Sequence, residues 1–228
     1  MNKENRRAVI FDLDGTLLDT LLDLTNAANH VREMCGLPAL APDTVRKYLG
    51  NGTGELLYLS LREKVNKDEL GPYIKEYMEY YKAHISIETG PYDGVKELLK
   101  RLKDKGIKIS VVSNKPDVAV SALCRVYFGD MVDFTVGDRP DMKRKPDAAP
   151  VKLAIESLGC DKAVYVGDSE VDVLTAKNAE LPCISVTWGF RDRDELERCG
   201  ADIFVSNMTE LENMIYKLLG MEGVYASE

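Results

Sequence analysis

The chain is short of most residue types from which a specialised site or a covalent framework is built. Its five cysteines, Cys35, Cys124, Cys160, Cys183 and Cys199, are odd in number and widely spaced, with no Cys-x-x-Cys pair. That spacing provides neither a disulfide framework nor a zinc site, and each reads as a small apolar residue. Only two histidines occur, His30 and His84, far apart within helical patterns, so each reads as packed or solvent-facing rather than as a catalytic base. Positive charge is in deficit: 30 lysines and arginines face 38 aspartates and glutamates, giving a net charge of -8 and a pI near 5.0. A surface of that sign is wrong for general binding to nucleic acid or an anionic membrane, and any anionic ligand needs local cationic help. No uninterrupted apolar stretch reaches membrane-spanning length, and polar Met1 to Arg7 is followed by only four apolar residues. Neither a membrane segment nor a secretory leader is therefore expected, and the expected compartment is the cytoplasm. Nucleotide-binding signatures are missing too. There is no Gly-x-x-x-x-Gly-Lys-Ser/Thr loop, and Gly50-Asn51-Gly52-Thr53-Gly54 neither follows a strand nor fits Gly-x-Gly-x-x-Gly.

What remains is an ordinary globular composition over 228 residues, long enough for one large domain or for a core carrying an insert. The run Ala8-Val9-Ile10-Phe11 reads as a buried strand, and it leads straight into Asp12-Leu13-Asp14-Gly15-Thr16-Leu17-Leu18-Asp19. Alternate residues of an extended chain point the same way, so Asp12 and Asp14 can face a common ligand. Like charges that close need a cation, a proton or a catalytic use, although an acidic turn would also favour Asp and Gly. Beyond them, residues 17 to 90 are helical in pattern without a convincing strand. Leu24, Ala27, Ala28 and Val31 mark one helix, a short one begins at Pro42, another near Glu55, and residues 67 to 85 place Leu70, Ile74, Tyr77, Met78, Tyr81 and Ile85 on one face. From Pro91 onward helices and strands alternate. Strands are expected at 107–112, 132–136, 163–167, 183–187 and near 203, with helices between them and a final one through Leu218 and Leu219. Gly223 to Glu228 read as loosely held. The expected architecture is α/β: a doubly wound parallel, Rossmann-like core of residues 1–16 and 91–228, interrupted after its first strand by a helical insert, residues 17–90, that sits over the acidic loop.

In such a sheet ligands bind at the carboxyl ends of the strands, beside the point where the winding reverses. The first strand delivers Asp12 and Asp14, the second Ser113 and Asn114, and the fourth Asp168 and Asp172. In a 3-2-1-4-5-6 order the first and fourth strands are neighbours, which brings Asp168 beside Asp12 and Asp14. Hard oxygen ligands gathered this way suit Mg²⁺. Ser113 and Asn114 supply hydroxyl and amide groups for anion oxygens, and the helix beginning near Pro116 turns its amino end to negative charge. In Lys143-Arg144-Lys145-Pro146 the first two residues read as a solvated loop, whereas Lys145, set just before a helix, can reach a phosphate and steady a carboxylate.

Asp-x-Asp-Gly-Thr-Leu at the first strand, Ser-Asn after the second, Lys-Pro before a helix and Gly-Asp-Ser-x-x-Asp after a later strand resemble the four ordered motifs of the haloacid dehalogenase superfamily. The resemblance runs along essentially the whole chain. More narrowly, Tyr48-Leu49-Gly50-Asn51-Gly52, Gly90-Pro91-Tyr92-Asp93-Gly94-Val95 and Thr187-Trp188-Gly189-Phe190 are similar to phosphoglycolate phosphatases. A small departure is Ala148, where the family often has a second proline after Lys-Pro-Asp. The resemblance implies a phosphatase with a helical cap domain inserted after the first motif. It makes Asp12 the nucleophile that forms an aspartyl-phosphate and Asp14 the acid and base. It assigns Mg²⁺ to a carboxylate oxygen of Asp12, the backbone carbonyl of Asp14 and the carboxylate of Asp168, with Asp172 in support, and gives Ser113, Asn114 and Lys145 to the phosphoryl group. Dehalogenases of the same fold lack the second aspartate, because halide leaves without a proton, so Asp14 favours phosphate esters. The expected partner is a small-molecule phosphate ester, most of all 2-phosphoglycolate, handled by a monomer or homodimer. A sugar-phosphate mutase, a pyrophosphatase or a silent, receiver-like phosphate-binding protein remain open, and Gly50 to Gly54 read equally as a lid over the leaving group or as a plain helix connection.

Overall fold

The apolar run at Ala8–Phe11 becomes the central strand of the sheet, and all four of its side chains are fully buried. A computed structural model describes residues 6–221, so the expectation about Gly223 to Glu228 lies outside the described residues. Strand β1 (Arg7–Phe11) is followed by β2 (Leu18–Asp19) and then by helices α1 (Leu21–Met34), α2 (Pro42–Arg46), α3 (Gly52–Leu61) and α4 (Gly71–His84). After β3 (Gly90–Pro91) come α5 (Val95–Asp104), β4 (Lys108–Pro116), α6 (Asp117–Phe128) and β5 (Phe134–Asp138). Alternation then continues through α7 (Ala149–Leu158), β6 (Lys162–Gly167), α8 (Glu170–Asn178), β7 (Cys183–Val186), α9 (Arg193–Arg198), β8 (Phe204–Val205) and α10 (Met208–Leu218).

Six of these strands form one parallel sheet in the order β5-β4-β1-β6-β7-β8, a Rossmann-like arrangement and the doubly wound order expected from the alternation. Winding runs outward from β1 through β4 to β5, then resumes on its other side at β6, so the reversal lies where β4, β1 and β6 adjoin. Alternate residues of β1 serve opposite faces, as strand geometry requires. Val9 and Phe11 join a core with Leu98, Leu123 and Ile215 of α5, α6 and α10, whereas Ala8 and Ile10 join one with Val151, Ala154 and Ala176 of α7 and α8. With both faces covered, these strands read as unbroken apolar runs.

Helices α1 to α4 bury their apolar stripes against one another. Leu24, Ala27, Ala28, Val31, Leu57, Leu61, Tyr77 and Tyr81 form a third core, to which Phe190, from the loop after β7, also contributes. Segment 17–90 is not wholly helical as the pattern suggested, because β2 and β3 pair antiparallel where the chain leaves and re-enters the sheet region, Leu18 opposite Pro91 and Asp19 opposite Gly90. A two-residue ladder is too short to leave a periodic signal. Helix α3 starts at Gly52 rather than near Glu55, since two glycines in its first turn mask the helical pattern. The stretch 67–85 divides into a 3₁₀ turn at Lys67–Glu69, closed by the Asn66/Glu69 capping box, and α4.

The returning segment is held by one buried carboxylate. Asp23 of α1 accepts hydrogen bonds from the backbone N–H groups of Ile87 (3.2 Å), Glu88 (3.0 Å) and Thr89 (3.0 Å) and from the Thr89 hydroxyl (2.7 Å). Removing it strands several donors at once, and a buried charged acceptor of this kind contributes roughly 2–3 kcal/mol. Asp23→Ala is therefore expected to lower the unfolding free energy by about that amount. Urea titration by circular dichroism checks this, and an unchanged midpoint contradicts it.

Candidate active site

The parallel register sets Phe11 opposite Val111 of β4 on one side and Val166 of β6 on the other. The residues that follow therefore emerge side by side at the winding reversal, and the Asp12 N–H continues the ladder by donating to the Val166 carbonyl at 2.9 Å. The Asp12 carboxylate is buried, and its Oδ1 accepts from the Lys145 ammonium at 2.7 Å. No hydrogen bond reaches its Oδ2 among the described residues. The same ammonium lies 2.8 Å from Asp172 Oδ1 and 3.0 Å from the Tyr165 hydroxyl, so one cation links the ends of β1 and β6 and the start of α8.

Asp172 has no lone pair to spare. Its Oδ1 accepts from Lys145 and Tyr165, and its Oδ2 from the Asp168 and Ser169 N–H groups and the Ser169 hydroxyl, the last at 2.6 Å. The cause is local: Ser169 and Asp172 form the capping box of α8. Asp168 differs. Its Oδ1 accepts from Thr16 (2.9 Å) and its Oδ2 from the Phe190 N–H (2.7 Å), which leaves room for a further partner on each oxygen. Glycines make space for it. A Cβ on Gly189 would lie 2.3 Å from Asp168 Cβ and 2.5 Å from its Oδ2, and one on Gly15 (φ 85°) would lie 2.4 Å from that same oxygen.

One carboxylate oxygen from each of Asp12, Asp168 and Asp172 lies within 4.8 Å of the other two. Burial, opposed by the Lys145 ammonium, pushes Asp12 up to about 7. Burial together with the neighbouring charges of Asp172 and Asp12 carries Asp168 well above the ordinary carboxylate range. Burial works on Asp172 in the same direction, but Lys145 and the hydrogen bonds of Ser169 and Tyr165 outweigh it and hold that carboxyl low. Two buried carboxyl groups that resist ionisation alone are what a hard divalent cation relieves, and oxygen donors without Cys or His fit Mg²⁺. Asp12 and Asp168 are the side chains able to hold it. The saturated Asp172 supports Lys145 and the α8 terminus instead.

Asp14, also at the cleft, pairs with the ammonium of Lys115 (2.8 and 3.1 Å). The Ser113 hydroxyl accepts the Lys115 N–H at 3.2 Å, which leaves its own hydrogen for a ligand. The Asn114 amide is committed elsewhere than expected. Its two N–H donors reach the carbonyls of Gly50 (3.1 Å) and Lys145 (3.0 Å), so the side chain ties the loop before α3 to the loop before α7 and has no donor left for an anion. Lys143 and Arg144 are exposed. Asp12, Asp14, Ser113, Lys115, Lys145 and Asp168 line a cleft of about 590 Å³, whose further walls are Leu24, Leu49, Leu56 and Tyr77 from the helical segment. Neither histidine lines it; His30 and His84 stack on Tyr80.

A family model described as haloacid dehalogenase-like hydrolase matches residues 9–186. The chain belongs to that family. A phosphoglycolate phosphatase of Chromobacterium violaceum is 32% identical, over 94% of this chain and 99% of its own. An N-acetylmuramic acid 6-phosphate phosphatase of Pseudomonas aeruginosa is 29% identical, over 96% of this chain and 99% of its own. Among solved structures, a predicted phosphatase from Clostridium acetobutylicum superposes with a TM-score of 0.83 at 30% identity, over 94% of this chain and 99% of that one. The hydrolase is thus an enzyme of the phosphatase kind. None of its described helices is long and apolar enough to cross a membrane.

Several site residues of this hydrolase escaped the sequence reasoning. Thr16 and Gly189 lay within recognised motifs, but nothing there showed that both serve Asp168. Lys115 directly follows Ser113-Asn114, which was its one available signal. Arg191 carried none. Buried, it binds Glu170 at 2.7 and 3.0 Å and donates to the carbonyls of Arg46 (3.2 Å) and Leu49 (2.8 Å), joining the loop after β7 to the helical segment.

Because the methyl group of alanine would displace Asp168, Gly189→Ala is expected to weaken Mg²⁺ binding by roughly 10- to 100-fold, the range typical of a disturbed ligand support. Isothermal titration of metal-free protein measures it, and an unchanged affinity contradicts the placement of Asp168 in the metal site.

Proposed function

We propose that this hydrolase releases inorganic phosphate from a small phosphorylated metabolite, with 2-phosphoglycolate as the first choice, through an aspartyl-phosphate on Asp12. The observation that carries the reading is the Asp12 carboxylate, buried, fixed through one oxygen by Lys145, and bearing a second oxygen without a hydrogen bond among the described residues. A carboxylate so oriented and stripped of water is a competent nucleophile toward phosphorus. The phosphoglycolate phosphatase relative supports the substrate.

Asp12 attacks phosphorus and the bond to the ester oxygen breaks. Asp14, two residues on, gives its proton to the departing alkoxide and later takes one from the water that cleaves the acyl phosphate and restores Asp12. The Ser113 hydroxyl and the backbone N–H of Asn114 are the donors we assign to the transferring phosphoryl oxygens, in place of the committed Asn114 side chain. Lys145 keeps Asp12 in its attacking orientation and adds positive charge where the phosphoryl group arrives. Mg²⁺, held by Asp12, Asp168 and the Asp14 carbonyl, supplies neutralising charge for the phosphate oxygens when bound. We assign residues 1–16 and 91–228 to the catalytic core and 17–90 to a cap that closes the leaving-group side. The separate apolar core formed by α1 to α4 supports that division, and the bonds of Asn114 to Gly50 and of Arg191 to Arg46 and Leu49 join the two parts.

Asp12→Asn is expected to reduce kcat by at least roughly 10³-fold, the scale on which removal of a nucleophile acts. Chelation is expected to abolish turnover, and added Mg²⁺ to restore it. Phosphate release from 2-phosphoglycolate, N-acetylmuramic acid 6-phosphate, hexose phosphates and pyrophosphate decides the substrate by kcat/KM. Near-normal turnover by the Asn variant contradicts the nucleophile, and a preference for another substrate contradicts 2-phosphoglycolate.

A further inference from the structure

Lys115 is the cation of the cleft with spare capacity. It lies at the end of β4, its side chain is only 4% exposed, and it lines the cleft beside Asp14. The other buried cations there are committed. Lys145 is shared between Asp12, Asp172 and Tyr165, and Arg191 between both oxygens of Glu170 and two backbone carbonyls. Lys115 has Asp14 as its one carboxylate partner among the described residues. The ring of Tyr81, from α4, covers it with the centroid 4.7 Å from Nζ. A buried ammonium is costly unless charge or a π face compensates it, and here both parts of the molecule contribute that compensation.

Position gives this cation its meaning. Asp14 is the group assigned to the ester oxygen, and Lys115 Nζ is 2.8 Å from its carboxylate, so the Lys115 ammonium stands beside the group that serves the leaving oxygen. In a glycolate ester a single methylene separates the ester oxygen from a carboxylate. Leu24, Leu56 and Tyr77 wall the same cleft, which withholds water from an ion pair formed there and strengthens it. We infer that Lys115 recognises the carboxylate of the leaving group, and so selects phosphate esters bearing an anionic group one carbon from the ester oxygen. The inference rests on the phosphatase reading above and adds the residue that selects within it.

Initial-rate kinetics on the full chain with Mg²⁺ test it, comparing 2-phosphoglycolate with 2-hydroxyethyl phosphate, in which a hydroxymethyl group replaces the carboxylate. The wild-type protein is expected to favour the carboxylate ester in kcat/KM. Lys115→Met and Lys115→Gln are expected to shrink that preference by roughly 10- to 100-fold, the scale of a charge-assisted hydrogen bond, and Lys115→Arg to keep most of it. Losses caused by disturbing Asp14 fall on both esters and cancel in the ratio. An equal fall on both esters, with the ratio kept, overturns the inference and makes Lys115 a holder of Asp14 alone. A wild-type ratio near one overturns it whether or not any variant folds. Failure of the wild type on every ester overturns the phosphatase reading as well, which separates the two claims.

Discussion

Three buried carboxylates around one ammonium form the constraint on which the rest of this hydrolase depends. Asp12, Asp168 and Asp172 come together because β1 and β6 adjoin at the winding reversal, and Lys145 reaches two of them at 2.7 and 2.8 Å. Removing one partner of such a buried pair typically costs about 3–5 kcal/mol, because the other charge is left uncompensated. The surroundings show how closely the arrangement is held. Gly167 leaves room for Asp172 and Gly189 for Asp168, where an added Cβ would lie 2.3 Å from side-chain carbon in either case. The α8 capping box together with Lys145 and Tyr165 saturates Asp172, so the two carboxylates that can still take a ligand are Asp12 and Asp168.

A second charge pair, Asp14 with Lys115, extends the site toward the helical segment. It sits under the Tyr81 ring, next to the apolar walls that α1, α3 and α4 contribute. The proposed chemistry needs both sides at once. In that proposal the sheet ends hold the phosphoryl-transfer groups, while the helices exclude water and shape the space for the leaving group. Contacts through Asn114 and Arg191 end on backbone carbonyls, so they constrain where the loops at Gly50 and Leu49 lie without demanding particular side chains there.

Much of this was legible in the sequence for physical reasons. Strands buried on both faces must be continuously apolar, so the runs at Ala8–Phe11 and Ala163–Val166 announced themselves, and strand-helix alternation dictated a parallel order. That order alone predicted that Asp168 would stand beside Asp12. What stayed hidden depends on distant partners. A lone lysine after Ser-Asn gains its significance only when Asp14 and Tyr81 meet it from far along the chain. The Asn114 amide, expected on an anion, serves carbonyls at Gly50 and Lys145 that come near it only in the folded state. Arg191 is of the same kind. The pairing of β2 with β3 was too short to see, and the glycines opening α3 concealed a helix start behind low propensity.

The central claim is that Asp12 carries the phosphoryl group during turnover. It is tested most directly by quenching the Mg²⁺-loaded enzyme during a single turnover of 2-phosphoglycolate and reducing the denatured protein with borohydride, which converts an acyl phosphate to the alcohol. The account predicts that peptide mass spectrometry finds Asp12 converted to homoserine, and that Asp14 and Asp168 are unchanged. Phosphate release with no reduced residue at position 12 would contradict it.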